Sequence, residues 1–338
     1  MSVSLSNLII ENGPVRGTTK NVLVGVMGCG LPTGLLRLSL LIARHQSVYN
    51  GNDLVVIMGD TLRTQETPGV ARIKQIILQK SGLDCDQYKD NYLGRRLAVR
   101  MRAAGIKEQM DYAELIRRNE EEFRLLLDEL TINVTQFYRD PAVFNAIADE
   151  ILPLIIVDKS ERHQRTIRIW SAGCSSGEEP YTLSMIANEL LDGYDEYTVN
   201  ITATDIDDYS LQVAEEGRYA GRQLATLPQA YKEKYFEQDG NDFIVKKEVR
   251  NLVKFKRCDL FSEVAGKNFD LILCRNVVIY FTKESQEELY MRFHNSLAED
   301  GYLVLGNTEN LNGPAAGLLT QVLSRERVYQ KRKEVRGK

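Results

Sequence analysis

From Arg165 to the C-terminus, short β-branched runs alternate with amphipathic stretches, and this alternation restricts the fold more than any other feature of the chain. "TIRIWSA", "TVNITATDID", "LVKFKRCDL", "FDLILCRN" and "GYLVLGNT" read as strands. "EEPYTLSMIANELLDG", "DYSLQVAEEGRYA" and "ESQEELYMRFHNSLAED" carry apolar residues three and four apart and read as helices between them. Strands joined through helices pair in parallel, so the expected core is α/β, a mostly parallel, doubly wound sheet. "SRERVYQKR" is expected to add a final edge strand. Residues 217–250 break the rhythm, and the "DGN" turn between "YFEQ" and "FIVKKEV" predicts a small inserted β-subdomain built on a hairpin.

Upstream the period is helical throughout. "GVARIKQIILQKSGLD", "YLGRRLAVRMRAAG", "DYAELIRRNEEEFRLLLDEL" and "DPAVFNAIADEILPLIIV" predict a helical bundle from residue 68 to about 157. Gly82 and Gly105 stand where such helices would stop, and Asp140-Pro141 reads as a cap followed by a first-turn proline. The expected organisation is a helical domain over 67–145 and a catalytic domain over 146–338, the latter carrying the insert.

Residues 1–66 fit neither pattern and are read as an N-terminal extension of unknown role. Their longest charge-free stretch, Asn21 to Leu36, is shorter than the ~20 residues of a spanning helix. Their glycines are not followed by the Lys-Ser or Lys-Thr of a phosphate loop. No membrane insertion is expected.

Composition narrows the chemistry. Hydrophobic residues at 43% and charged residues at 27% describe a soluble globular protein, and a formal charge of −4 argues against a nucleic-acid partner. The five cysteines form no CxxC pair and there are three histidines, which argues against a disulfide framework or a metal site. A reducing cytoplasm is the expected compartment.

Ligands of open α/β sheets bind beyond the carboxyl ends of the strands. There, "WSAGCSSGEEPY" offers Gly173 and Gly177 for close backbone approach to a ligand. The second strand ends in Asp205, placed to accept from a ribose diol. "CDLF" puts Asp259 in reach of an adenine amino group, and "CRNVVIYF" puts Asn276 and Tyr280 on the pocket lip. Glu178 and Glu179 beside the glycine turn would repel a pyrophosphate. They suit S-adenosylmethionine, which carries an α-ammonium and a sulfonium and no phosphate. Taken alone, both acids also suit a helix N-terminus.

With "TINVTQFYRD" added to "WSAGCSSGEEPYTL" and "CRNVVIYF", in that order over roughly residues 70 to 330, the chain resembles the CheR-type chemotaxis-receptor glutamate methyltransferases. The resemblance implies a class I S-adenosylmethionine-dependent methyltransferase fold with an N-terminal helical domain and a small β-subdomain. It implies that Asn133, Thr135 and Arg139 face the cofactor and active site, that Glu178 holds the methionine ammonium and that Asp205 holds the ribose. Asp259 and Leu260 would flank the adenine, although many relatives carry Asn at the Asp259 position. Asn276 and Val277 would line the methionine and sulfonium side. Arg139 and Tyr280 would position the substrate carboxylate.

On "YLGRRLAVRMRAAG", Arg95, Arg96, Arg100 and Arg102 fan over one side while Leu93, Leu97 and Met101 cluster on the other. Such a run is ordinarily a solvated face. The resemblance implies instead a substrate-binding helix that approaches the cytoplasmic helical bundle of methyl-accepting chemoreceptors. The short "EQDGND" loop argues against a tether for a receptor's C-terminal pentapeptide, and the chain is expected to act as a monomer. Other readings are a nucleic-acid or small-molecule methyltransferase, a non-catalytic S-adenosylmethionine sensor and a nicotinamide dehydrogenase. "CRNVVIYF" in place of an Asn/Asp-Pro-Pro-aromatic string, the presence of Arg139 and Tyr280, and the lack of GxGxxG speak against each in turn.

Overall fold

In the computed structural model, the described residues are 66–131, 134–192, 196–263 and 265–332, with the strands at 47–50 and 53–56. The chain forms two units, residues 1–67 and 68–338. In the first, β1 (Ser47–Asn50) pairs antiparallel with β2 (Asp53–Val56). The rest of the extension lies outside the described residues up to Glu66.

The second unit opens with four helices, α1 (Pro68–Ser81), α2 (Asp90–Ala103), α3 (Gln109–Arg118) and α4 (Glu120–Thr131). Their three- and four-residue apolar spacing becomes one core, with Ile73, Ile77, Leu93, Leu97, Tyr112, Ile116, Leu126 and Leu130 all buried. "DYAELIRRNEEEFRLLLDEL" is two helices rather than one. The break falls at Asn119, whose side-chain oxygen accepts from Glu122 N at 3.0 Å and caps α4.

The bundle is also shorter than expected. α5 (Pro141–Ala146) runs through a π-helical turn, Ile147–Ile151, into α6 (Leu152–Glu161). Its Phe144, Ile147, Ile151 and Ile155 pack with the sheet, not with the bundle core. Pro141 does occupy the first turn, but the Asp140 side chain caps nothing; it goes to Arg275.

The central sheet has seven strands in the order β11-β12-β10-β9-β3-β4-β8. β3 (Thr166–Ala172), β4 (Thr198–Asp205), β8 (Val253–Arg257), β9 (Phe269–Cys274) and β10 (Leu297–Leu305) run parallel. β12 (Val328–Lys331) lies antiparallel between β10 and β11 (Leu319–Leu323). The tail is therefore an inner strand, and β11, which has no alternating signature, takes the edge.

Period-two alternation divides each strand between two apolar layers. Leu271, Leu273, Tyr302 and Val304 enter one, on the side of α5, α6 and α7 (Glu178–Leu191). Ile272, Cys274, Leu303 and Leu305 enter the other, beneath α11 (Lys283–Ser296).

α8 (Asp208–Glu216) connects β4 to the insert, which is more than a hairpin. It is a three-stranded antiparallel sheet, β5 (Arg218–Ala220), β7 (Asp242–Val245) and β6 (Phe236–Asp239), with α9 (Gln229–Tyr235) preceding β6 and α10 (Lys247–Arg250) after β7. The expected tight turn is present, since Asp239 pairs with Asp242 around Gly240-Asn241. No helix among the described residues is long and apolar enough to cross a membrane.

Candidate active site

The strand order reverses between β3 and β9, and the carboxyl ends of those strands face a cleft of ≈ 1090 Å³, part of it open solvent. β3 delivers the glycine turn. Gly173 N and Cys174 N donate to Thr204 O at 2.8 and 2.9 Å, which binds the turn to the end of β4. Gly173 has φ +78°, and a Cβ there would lie 2.5 Å from Val277 Cγ2. At Gly177, φ is +94° and a Cβ would meet Ala214 Cβ at 2.8 Å. The glycines thus admit protein neighbours, Val277 and α8, where the sequence suggested room for a ligand.

The two acids after the turn face different ways. Glu178 is fully buried and off the cleft, accepting from Ser176 Oγ and from Gln223 Nε2 of the insert, both at 2.8 Å. Burial pushes its carboxyl up, against the pull of those hydrogen bonds. Glu179 lines the cleft, accepting from Ser171 Oγ at 2.8 Å and Arg275 Nη1 at 3.2 Å.

Asp205, at the end of β4, accepts from Ser175 N at 2.7 Å and Asp207 N at 3.0 Å. Burial raises its carboxyl despite these two backbone donors. Asp259 caps its own turn through Phe261 N at 3.0 Å and shares the wall with Leu260 and Phe261.

After β9, Asn276 adopts φ +62°, an uncommon conformation for a residue other than glycine. A distant acid enforces it. Glu309, buried, accepts from Gly306 N (2.6 Å), Asn276 N (3.1 Å) and Ile279 N (3.2 Å).

The opposite wall comes from the bundle side. Gln87, Tyr88 and Lys89 form a strap on the loop after β9, with Lys89 N donating to Tyr280 O at 3.0 Å and Thr282 N donating to Gln87 O at 2.9 Å. Tyr88 bridges to Phe281, and the Tyr92 and Tyr280 ring centroids are 4.8 Å apart. Arg139 reaches the cleft from the segment that joins α4 to α5, donating to Val134 O at 3.0 Å.

Of the residues singled out from sequence, Thr135, Arg139, Gly173, Asp205, Asp259, Leu260, Asn276, Val277 and Tyr280 line this one cleft. Asn133 lies outside the described residues. Glu178 is replaced on the lining by Glu179. One residue along a helix turns a side chain by about 100°, and an Glu-Glu pair in a first turn does not say which member faces in. Arg275, Glu309 and the Gln87-Tyr88 strap were missed. Arg275 had a signal, because a lone cation directly after the six buried residues of β9 must be paired.

The arginines of α2 divide. Arg96 pairs with Glu129 at 2.6 Å, and Arg100 with Glu122 at 2.7 Å, where Tyr112 Oη also donates at 2.8 Å. Both guanidinium groups are thus engaged in ion pairs within the bundle. Arg95 and Arg102 are exposed.

A parallel sheet of this order, closed by an antiparallel strand and bearing a carboxylate-rich cleft at its switch point, defines a class I S-adenosylmethionine-dependent methyltransferase. Residues 133–327 match the family described as CheR methyltransferase, SAM binding domain, and residues 68–131 match the CheR methyltransferase all-alpha domain. The chain belongs to the CheR methyltransferase family. It is 34% identical over 250 residues to a chemotaxis protein methyltransferase of Borreliella burgdorferi, covering 72% of this chain and 88% of that one. It is 33% identical over 245 residues to one of Listeria monocytogenes (71% and 89%) and 32% identical over 250 residues to one of Escherichia coli K12 (71% and 84%).

S-adenosylmethionine is the cofactor, and the lining fits it. Asp84, Glu179, Asp205 and Asp259 outnumber Arg139 and Arg275, a balance suited to an ammonium and a sulfonium. Arg275 is also on this lining, and its Nε is buried with no hydrogen-bond partner among the described residues.

Proposed function

We propose that the chain methylates glutamate side-chain carboxylates of chemoreceptors, forming glutamate 5-O-methyl esters used in sensory adaptation. The observation that carries this reading is the cleft itself, where Glu179, Asp205 and Asp259 share one lining with Arg139 and Tyr280. Glu179, rather than Glu178, holds the methionine ammonium. Asp205 accepts from the ribose hydroxyls, Asp259 and Leu260 flank the adenine, and Asn276 and Val277 border the methionine and sulfonium, with Thr135 on the linker side.

When bound, the cofactor supplies an electrophilic methyl group. The acceptor carboxylate is already ionised at neutral pH, so no general base is required. Arg139 neutralises and orients that carboxylate, Tyr280 fixes its approach, and the Gln87-Tyr88 strap keeps water out. Catalysis is then chiefly alignment at near-attack distance. Among the described residues lining the cleft there is no histidine, in keeping with this chemistry.

The receptor's helical bundle is approached through Arg95 and Arg102. The protein acts as a cytoplasmic monomer. The two-residue Gly240-Asn241 turn supports the absence of a pentapeptide tether, and measurable binding of a free receptor-tail peptide would overturn that part.

The test is transfer of labelled methyl from S-adenosylmethionine to host membranes carrying chemoreceptors, followed by mild alkali. Carboxyl esters release methanol and N-methyl groups do not. Alkali-stable label would refute the reading.

A further inference from the structure

We infer that Arg275 is a positioning residue that sets the cofactor end and the acceptor end of the cleft through one guanidinium. It follows β9 directly, and its side chain is 2% exposed. Nη1 reaches Glu179 Oε2 at 3.2 Å, and Glu179 is the cofactor-facing acid of the glycine turn. Nη2 reaches Asp140 Oδ2 at 2.7 Å and Arg139 O at 3.0 Å, both on the turn that carries the acceptor-facing Arg139. The guanidinium lies over the Phe144 ring, 5.1 Å from its centroid, which fixes its plane.

Asp140 has φ +61°, and while its backbone carbonyl accepts from Val143 N at 2.9 Å, its side chain makes no cap and is given to this contact instead. A planar fork gripping two carboxylates from two elements fixes their separation, which a point charge does not. Movement of Glu179 when the cofactor engages it is thereby transmitted to the Arg139 backbone. The cleft then presents its acceptor-binding arginine correctly only with the cofactor seated.

This inference rests on the methyl-transfer reading above, and the experiment separates the two. Asp140→Asn keeps shape and tolerates positive φ while removing the charge; Asp140→Gly keeps the conformation and removes the arm. Both leave Arg275 bound to Glu179. Three quantities are measured on the full chain: the affinity for S-adenosylhomocysteine by titration calorimetry, kcat with receptor-bearing host membranes, and amide exchange over residues 134–141 with and without S-adenosylhomocysteine.

Affinity is expected to stay within a few-fold of wild type while kcat falls by an order of magnitude in Asp140→Gly and by less in Asp140→Asn. The protection that S-adenosylhomocysteine confers on 134–141 in wild type is expected to vanish in Asp140→Gly. Unchanged kcat, protection that survives in Asp140→Gly, or affinity and kcat falling in equal proportion would each overturn the inference. A wild-type protein that methylates nothing would refute the functional reading alone, and the exchange measurement would still decide the role of Arg275.

Discussion

Replacing Glu309 with Gln tests how the cleft is built, because it alters one atom of a side chain that is not itself on the lining. The carboxylate accepts three backbone N–H groups, two at Oε2 (Gly306 and Asn276) and one at Oε1 (Ile279). Gln does best with its oxygen at the first position, which places an amide NH2 against Ile279 N–H. One backbone donor then loses its acceptor, at about 1–3 kcal/mol for a buried group, and the two remaining bonds lose their charge assistance. Against this, Gln removes the burial cost that raises the Glu309 carboxyl above the usual range.

The net loss comes to about 2 kcal/mol, or a fall in Tm of about 4–8 °C at this domain size. Asn276 is held at φ +62° by the same acid, so release of that strain should also weaken S-adenosylhomocysteine binding about tenfold, or about 1.4 kcal/mol. Thermal unfolding and titration calorimetry on the full chain check both figures. An unchanged Tm together with an unchanged affinity would refute the claim that Glu309 builds the Asn276 lip.

Other expectations follow from the same geometry. Gly173→Ala forces a Cβ to 2.5 Å from Val277 Cγ2 at φ +78° and should cost about 2 kcal/mol or more, with cofactor binding lost, by urea unfolding and calorimetry. Arg100→Ala leaves Glu122 buried without its guanidinium and should cost about 2 kcal/mol in stability. Arg95→Ala with Arg102→Ala should change stability by less than about 0.5 kcal/mol yet raise KM for receptor membranes, an effect that added salt reduces in wild type. Burial raises the Asp205 carboxyl, so the folded protein holds that proton to higher pH than the unfolded chain does. Asp205 therefore adds stability as pH falls through its raised pKa, and the contribution is lost as pH rises. Cofactor affinity runs the other way. It should fall with pH earlier than an ordinary aspartate would dictate, and Asp205→Asn should flatten that dependence.

What the sequence conveys and what it withholds divide along physical lines. Period-two and period-3.6 patterns predict the parallel strands and the bundle helices because burial acts on the pattern itself, as at Ile73-Ile77 and Leu303-Leu305. The inner position of β12 is invisible, since pairing partners are not a local property of "VYQK". The break at Asn119 depends on one side-chain cap, and the helical pattern on either side of it is continuous.

In the site, the strand ends identify Asp205, Asp259 and Asn276 because topology fixes where such ends converge. Which of Glu178 and Glu179 lines the cleft cannot be read locally, since the first is turned toward Gln223 of the insert. The division among the α2 arginines depends on Glu122 and Glu129, acids of α4 that lie 22 residues beyond Arg100 and 33 beyond Arg96. Glu309 is 30 and 33 residues beyond Ile279 and Asn276, the loop residues it holds, and nothing near it in the sequence marks it.

The most direct test of the central claim is tandem mass spectrometry of chemoreceptors after incubation with this protein and S-adenosylmethionine. The account predicts one added methylene on glutamate side chains of the cytoplasmic helical bundle, removed by mild alkali and absent when Glu179→Gln or Arg139→Ala replaces wild type. Alkali-stable methylation of receptor lysine or arginine, or no added methylene on glutamate, would contradict it.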